Sequence, residues 1–162
     1  MTDLLFGKMI SKDSQRMEAM GSVDELNAAL GLIRASCPFE DWIITIDGIQ
    51  ARLVVLMGVI ATLPGDVPRY EKQFGTLGAT DVMWVEAESQ KYEAKKPLGI
   101  TWARPGAEHS PIRAQADFAR TIARRAERHV FALSHTSGGI SNHINVFLNR
   151  LSDILWVMAR AD

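Results

Sequence analysis

"ARTIARRAERHVFAL", Ala119–Leu133, contains no proline or glycine, and its apolar residues return at intervals of three and four. With Arg120 at zero and about 100° per residue, Arg113, Asp117, Arg124 and Glu127 fall within roughly 80° of one another, with Arg128 at the margin. Phe118, Ala119, Ile122, Ala123, Ala126, Val130 and Leu133 occupy the opposite arc. Such a stretch predicts an amphipathic helix with an apolar inside and a charged side. Pro111 suits its first turn, so the helix is expected from Pro111 to about Leu133, with "SHTSGG" closing it.

The same period recurs on both sides. After a cap at Ser141 or Asn142, a last helix has Ile144, Phe147, Leu148, Leu151, Ile154, Leu155 and Met158 on its apolar side. Towards the N-terminus, Val23, Leu26, Leu30 and Ile33 mark a first helix over Gly21–Ala35. Ile43, Ile46, Ile49, Leu53, Leu56 and Ile60 mark a second over Asp41–Ala61, with Asp41 as its cap. Pro64, Gly65, Pro68, Gly75 and Gly78 predict a loop, after which Thr80 caps a helix from Asp81 to about Glu93. "GITWARPGAEHS" reads as a second loop. Five helices and no convincing strand predict an all-α bundle, formed as a single domain over residues 1–162.

Composition narrows the functional classes. A formal net charge of -1 provides no basic field to attract a nucleic-acid backbone over distance, so the positive charge that matters is local. The longest apolar run, Leu53–Ala61, is broken by Gly58 and falls far short of the roughly 18 residues of a membrane span, so a buried core helix is expected there. Cys37 is the only cysteine and "MTDLLFGK" lacks the layout of a secretory signal, which together suit a reducing cytoplasm. His109, His129, His135 and His143 lack the helical pairing of a zinc site, and no Glu-x-x-His pairs support a di-iron centre.

Three clusters remain as candidates. The charged side of the Pro111 helix reads either as a solvated salt-bridge face or as the wall of an anion site. On the last helix Asn142, Asn145, Asn149, Asp153 and Arg160 share one side. Asparagine is a poor helix former, so this row either bridges helices or reads a polar ligand. At the start of the first helix Asp24, Glu25 and Asn27 serve either as dipole-matched caps or as partners of the arginine stripe.

Three strings, "GSVDELNAALGLIR", "ARTIARRAERHVFAL" and "FLNRLSDILWVMAR", occur in that order with long helices between them. Together they resemble the ATP:cob(I)alamin adenosyltransferases of the PduO type, over nearly the whole chain. The resemblance implies a five-helix, ferritin-like bundle and a homotrimer with sites between subunits. It implies transfer of the 5'-deoxyadenosyl group of ATP to the cobalt of reduced cobalamin, with release of triphosphate. Arg120, Arg124 and Arg125 would then belong to an ATP-handling run, with Glu127 holding the arginines or an ATP-bound Mg2+. Asp24 would pair with an arginine of this run across the subunit boundary, making Arg120, Arg124 and Asp24 the catalytic candidates. Lys8 and Lys12 would face ATP, Asn149 would face nucleotide and corrin, and Asp153 the corrin. Trp102, three residues before "PG", matches the aromatic that covers the lower face of the corrin.

The chain departs from the family in three places. It lacks the glycine-rich Thr-Gly-Asp stretch whose amides wrap the triphosphate, and "TDLLFGKMISKD" resembles only the segment on the C-terminal side of that stretch. Each lost charge-assisted hydrogen bond is expected to weaken ATP binding by about 1.5–3 kcal/mol. Ala107 stands where a glycine is common, and the sequence ends at Asp162, before a segment that often contacts the corrin. A corrinoid- or nucleotide-binding protein with impaired catalysis, or a structural helical trimer, are the alternatives to the transferase.

Overall fold

The computed structural model describes residues 1–95, 104–106 and 109–160. Among them are six α-helices: α1 (Gln15–Ser36), α2 (Glu40–Ile60), α3 (Val67–Phe74), α4 (Ala79–Glu93), α5 (Pro111–Thr136) and α6 (Asn142–Met158). Five of these close a ring: α1 packs on α2 and α5, α6 on α5 and α4, and α4 touches α2. Val23, Leu26, Leu30 and Ile33 of α1, Ile46, Ile49, Leu53 and Leu56 of α2, and the seven apolar residues expected on α6 are all buried in one core. The all-α bundle predicted from periodicity is therefore the observed one.

Residues 64–78 differ from the predicted loop. Pro64–Asp66 form a 3-10 turn, and α3 follows directly with Pro68 in its first turn. Proline punctuates loops and also starts helices, because its missing N–H would be unpaired in a first turn anyway. Gly58 of α2 is what lets α3 dock: a Cβ there would lie 1.9 Å from the Tyr70 hydroxyl oxygen. That hydroxyl donates to the Val55 carbonyl at 3.3 Å. Gly48 does the same for α4, admitting the Trp84 ring, over which the Arg52 guanidinium stacks at 3.8 Å. Long and apolar enough to cross a membrane, α2 instead buries Trp42, Ile46, Ile49, Leu53, Leu56, Val59 and Ile60 in the bundle.

Helix starts also shift: α1 begins at Gln15 rather than at the expected Gly21, and the caps of α2 and α4 each move two residues towards the N-terminus. Asp41 lies inside α2, accepting the Trp42 amide at 3.0 Å, and Gly78 precedes α4 with its amide donated to Asp81 at 3.0 Å. Ser141 caps α6 as expected. Beside the helices lies a small antiparallel hairpin, β1 (Thr2–Asp3) and β2 (Met9–Ile10), with Thr2 opposite Ile10, which leaves the all-α class unchanged. Phe6 turns it with φ of 59°, and the Arg69 guanidinium stacks over the Phe6 ring at 4.2 Å.

That hairpin is anchored through a residue that helical periodicity alone does not single out. Arg16 lies on the apolar stripe of α1, in step with Ala19, Val23, Leu26, Leu30 and Ile33, and is 3% exposed. Its Nη1 donates to the carbonyls of Ile60 at 2.7 Å and Thr62 at 2.9 Å, satisfying acceptors that the end of α2 leaves open. The carbonyl between them, Ala61, accepts the Leu5 amide at 3.0 Å and holds the hairpin against the bundle.

These contacts set the expected stability of two variants. Arg16→Met uncaps two buried carbonyls and is expected to lower unfolding free energy by about 2–4 kcal/mol in urea titration; a change below about 0.5 kcal/mol contradicts the capping role. Tyr92, buried between α2 and α4 with its hydroxyl donating to the Asp41 carbonyl at 3.0 Å, has its pKa pushed up to about 12, first by burial. Folding therefore favours the neutral phenol. Its contribution is complete below pH 10 and is lost as pH rises through about 12. Tyr92→Phe should flatten that alkaline decline between pH 9 and about 12 relative to the parent, read as the shift in urea midpoint.

Candidate active site on the α5 face

The inner stripe of α5 is built largely from alanines, with Ala116, Ala119, Ala123 and Ala126 all buried. Small side chains let α1 and α6 approach closely. The charged edges of the three helices therefore meet. Arg125 Nη2 forms an ion pair with Glu25 Oε2 of α1. Asn149 Nδ2 of α6 donates to Glu127 Oε1 at 2.9 Å. Asn145 Nδ2 donates to the Ser134 hydroxyl at 3.3 Å. Arg160, just past α6, clasps Asp117 with both terminal nitrogens, at 3.2 and 3.1 Å.

This arrangement settles the two open readings of the asparagine row in part. Asn145 and Asn149 bridge α6 to α5, and the Asn145 side-chain oxygen Oδ1 is buried without a hydrogen-bond partner among the described residues. Asn142 is exposed at the start of α6. Asp153 stands apart, paired with Arg150 at 3.0 Å. Arg150 also reaches Glu86 of α4 at 3.0 Å, and these groups line a groove of about 260 Å3 between α4 and α6.

The charged side of α5 is not uniformly solvated either. Asp117, expected on the charged stripe, is 6% exposed, because Arg160 and Arg120 neutralise it; Arg120 Nε donates to its Oδ1 at 2.9 Å. Phe118, expected inside, is 58% exposed. Arg124 is exposed and makes no ion pair or hydrogen bond among the described residues, whereas Arg120 and Arg125 on either side of it are both paired.

The α1 acids divide between roles. Glu25 is the one that meets α5, while Asp24, one residue round the helix, is exposed and has no partner within the chain among the described residues. Lys8 lies on the hairpin 3.9 Å from the Asp66 carboxylate, and Lys12 is exposed in the turn before α1. Trp102 lies outside the described residues.

One contact invites a different chemistry and fails it. Ser22 Oγ lies 2.6 Å from His129 Nδ1, and Glu18 Oε1 lies 3.6 Å from the same nitrogen. A relay needs the acid on one ring nitrogen and the hydroxyl on the other. Ser22 also donates to the Glu18 carbonyl at 2.8 Å, so its proton is engaged in the helix and the imidazole N–H donates to its oxygen. The trio is a helix-to-helix strut. Among the described residues, no group of three or more His, Cys, Asp or Glu converges as a metal cluster would.

Among the described residues Arg124 has no ion pair and stands in sequence between the anchored Arg120 and Arg125, and known proteins share this bundle. The cobalamin adenosyltransferase family matches residues 1–162, and the chain belongs to that family. The corrinoid adenosyltransferase PduO of Citrobacter freundii is 32% identical over 161 residues, covering 99% of this chain and 46% of that protein. The chain thus spans about half the length of that relative and of its Salmonella typhimurium counterpart, at 46%. The corrinoid adenosyltransferase of Bacillus subtilis is 34% identical, covering 96% of this chain and 78% of its own. In three dimensions, a variant PduO-type ATP:corrinoid adenosyltransferase from Lactobacillus reuteri, complexed with cobalamin and ATP, superposes with a TM-score of 0.82 at 28% identity. The superposition covers 98% of this chain and 86% of that one.

The Glu127–Asn149 contact yields a test of the geometry alone. Asn149→Asp would set two carboxylates against each other, and like charges so close raise the pKa of one. A raised carboxyl pKa stabilises the fold below the ordinary value near 4 and costs stability as pH climbs above it. Relative to the parent, Asn149→Asp should therefore lose about 1–2 kcal/mol between pH 4 and pH 7 in urea titrations, and a pH-independent difference contradicts the contact.

Proposed function

We propose that this chain is an ATP:corrinoid adenosyltransferase, in which the cobalt(I) of reduced cobalamin attacks the 5' carbon of ATP. The cobalt–carbon bond forms, the bond from C5' to oxygen breaks, and triphosphate leaves. The observation that carries this reading is the state of the α5 arginines: Arg120 and Arg125 are anchored by carboxylates, and Arg124 between them is a permanent cation with no counter-ion in the chain among the described residues. Guanidinium forks match phosphate oxygens and stabilise charge that develops on them. Family membership and a neighbour complexed with cobalamin and ATP point the same way.

In this reading the chain's work is electrostatic. Arg124 receives the triphosphate directly, Arg120 offers the terminal nitrogens that Asp117 leaves open, and Arg125 keeps its place through Glu25. Lys8 and Lys12 add charge from the hairpin and the turn before α1. Glu127, with Oε1 fixed by Asn149, keeps Oε2 for a cation, and one carboxylate is what Mg2+ needs when phosphates and water complete its shell. Trp102, Asn149 and Asp153 are assigned to the corrin by resemblance, and exposed Asp24 is assigned to the arginine run of a neighbouring subunit in a homotrimer. A cytoplasmic setting completes the reading, with the Cys37 side chain buried.

Under anaerobic conditions with cob(I)alamin, ATP and magnesium, the wild-type chain should develop the adenosylcobalamin spectrum; no conversion at high enzyme concentration removes the reading. Arg124→Ala should lower kcat/KM for ATP by about a hundredfold or more while leaving the melting temperature within a few degrees, because an unpaired exposed side chain stabilises little. Equal loss of stability and activity would make Arg124 structural instead.

A further inference from the structure

Asp117 belongs to none of the assigned roles, yet it is the most tightly held carboxylate on α5. Its side chain is 8% exposed, and three nitrogens converge on it: Arg160 Nη1 and Arg120 Nε on Oδ1, Arg160 Nη2 on Oδ2. The two arginines are committed unequally. Arg160 also donates Nη1 to the Trp156 carbonyl at 3.0 Å and stacks on the Trp156 ring at 4.7 Å, while its Nε is buried without a partner among the described residues. It is spent inside the fold. Arg120 gives Asp117 only Nε, and its Nη1 and Nη2 make no hydrogen bond among the described residues.

We propose that Asp117 is a positioning residue that fixes the Arg120 guanidinium by its Nε edge, so that the two terminal nitrogens face the triphosphate as a preset fork. This deepens the transferase reading and rests on it for the identity of the anion. An unanchored arginine would have to surrender rotamer freedom on each binding event. Holding Nε rather than the fork removes that cost without consuming the donors. Arg160 supplies the second positive charge that holds the carboxylate in place, so one buried anion serves two cations and leaves the cluster with net positive charge facing the ligand.

The test reads nucleotide affinity in the full chain. Asp117→Asn is near-isosteric but removes the negative charge, and its amide NH2 sets a donor against one of the converging guanidinium nitrogens. ATP binding by calorimetry should weaken about tenfold, with KM for cob(I)alamin unchanged in the anaerobic assay. In an Arg120→Ala background the same substitution should cost nothing further, since there is no fork left to position. Unchanged ATP affinity in Asp117→Asn, or the same tenfold loss without Arg120, overturns the proposal. If Asp117→Asn does not fold, Asp117→Glu keeps the charge and displaces the carboxylate by one methylene; wild-type affinity in that variant overturns the proposal equally. Failure of ATP to bind the wild-type chain overturns both readings, whereas ATP binding without adenosylation removes only the transferase and leaves the affinity comparison in force.

Discussion

The close approach of α1 and α6 to α5 is the constraint from which the rest of the molecule derives. Alanines at 116, 119, 123 and 126 bury little area individually, and their value lies in the space they do not fill. With larger residues at those positions the axes would separate, and Glu25, Asn149 and Arg160 would stop short of α5. Packing of the smallest side chains thus decides which polar side chains can touch. The polar edge is a consequence of the core beneath it.

Within that geometry, charge is distributed by a simple rule: a guanidinium drawn below the surface brings its acceptor with it. Arg16 finds backbone carbonyls at the end of α2, Arg160 finds Asp117, and Arg52 finds Asp81 at 2.9 Å together with the Trp84 ring. Isolated exposed pairs such as Arg34–Asp47 add little stability in water. The buried ones fix geometry instead, since breaking either leaves an unpaired charge or carbonyl in the interior. Against this background Arg124, exposed and without a counter-ion among the described residues, is the cation on α5 to which the proposed triphosphate contact falls.

Most of the bundle was legible because burial imposes a 3.6-residue period on long helices, and α1, α2, α4, α5 and α6 are long. Helix α3 was not, because eight residues hold barely two turns and Pro68 marks a helix start and a loop equally well. The hairpin at Met9 was invisible for a similar reason: two-residue strands have no alternation to read. At the site, the stripe Arg120, Arg124 and Glu127 could be read from spacing, but the partition within it could not. Asp117 and Phe118 exchanged their expected places because Arg160, 43 residues away, buries one and nothing among the described residues covers the other. Arg16 did leave a trace in the sequence, as a charged residue on the apolar stripe of α1. An arginine in that register signals either an error in phase or a buried cap, and only the carbonyls of a second helix distinguish them.

Two points on α1, Arg16 at its start and Glu25 at its middle, connect these observations. Arg16, at its start, ties the C-terminus of α2 to the hairpin that carries Lys8, and about two and a half turns further on the same helix presents Glu25 to Arg125. A helix rises about 1.5 Å per residue, so these anchor points are separated by roughly 14 Å along one rigid rod. The hairpin lysine and the α5 arginines are therefore held in a common frame set by α1, with Asp24 projecting from that frame into the solvent. Positive charge on two separate parts of the chain is thereby fixed in relative position by a single helix.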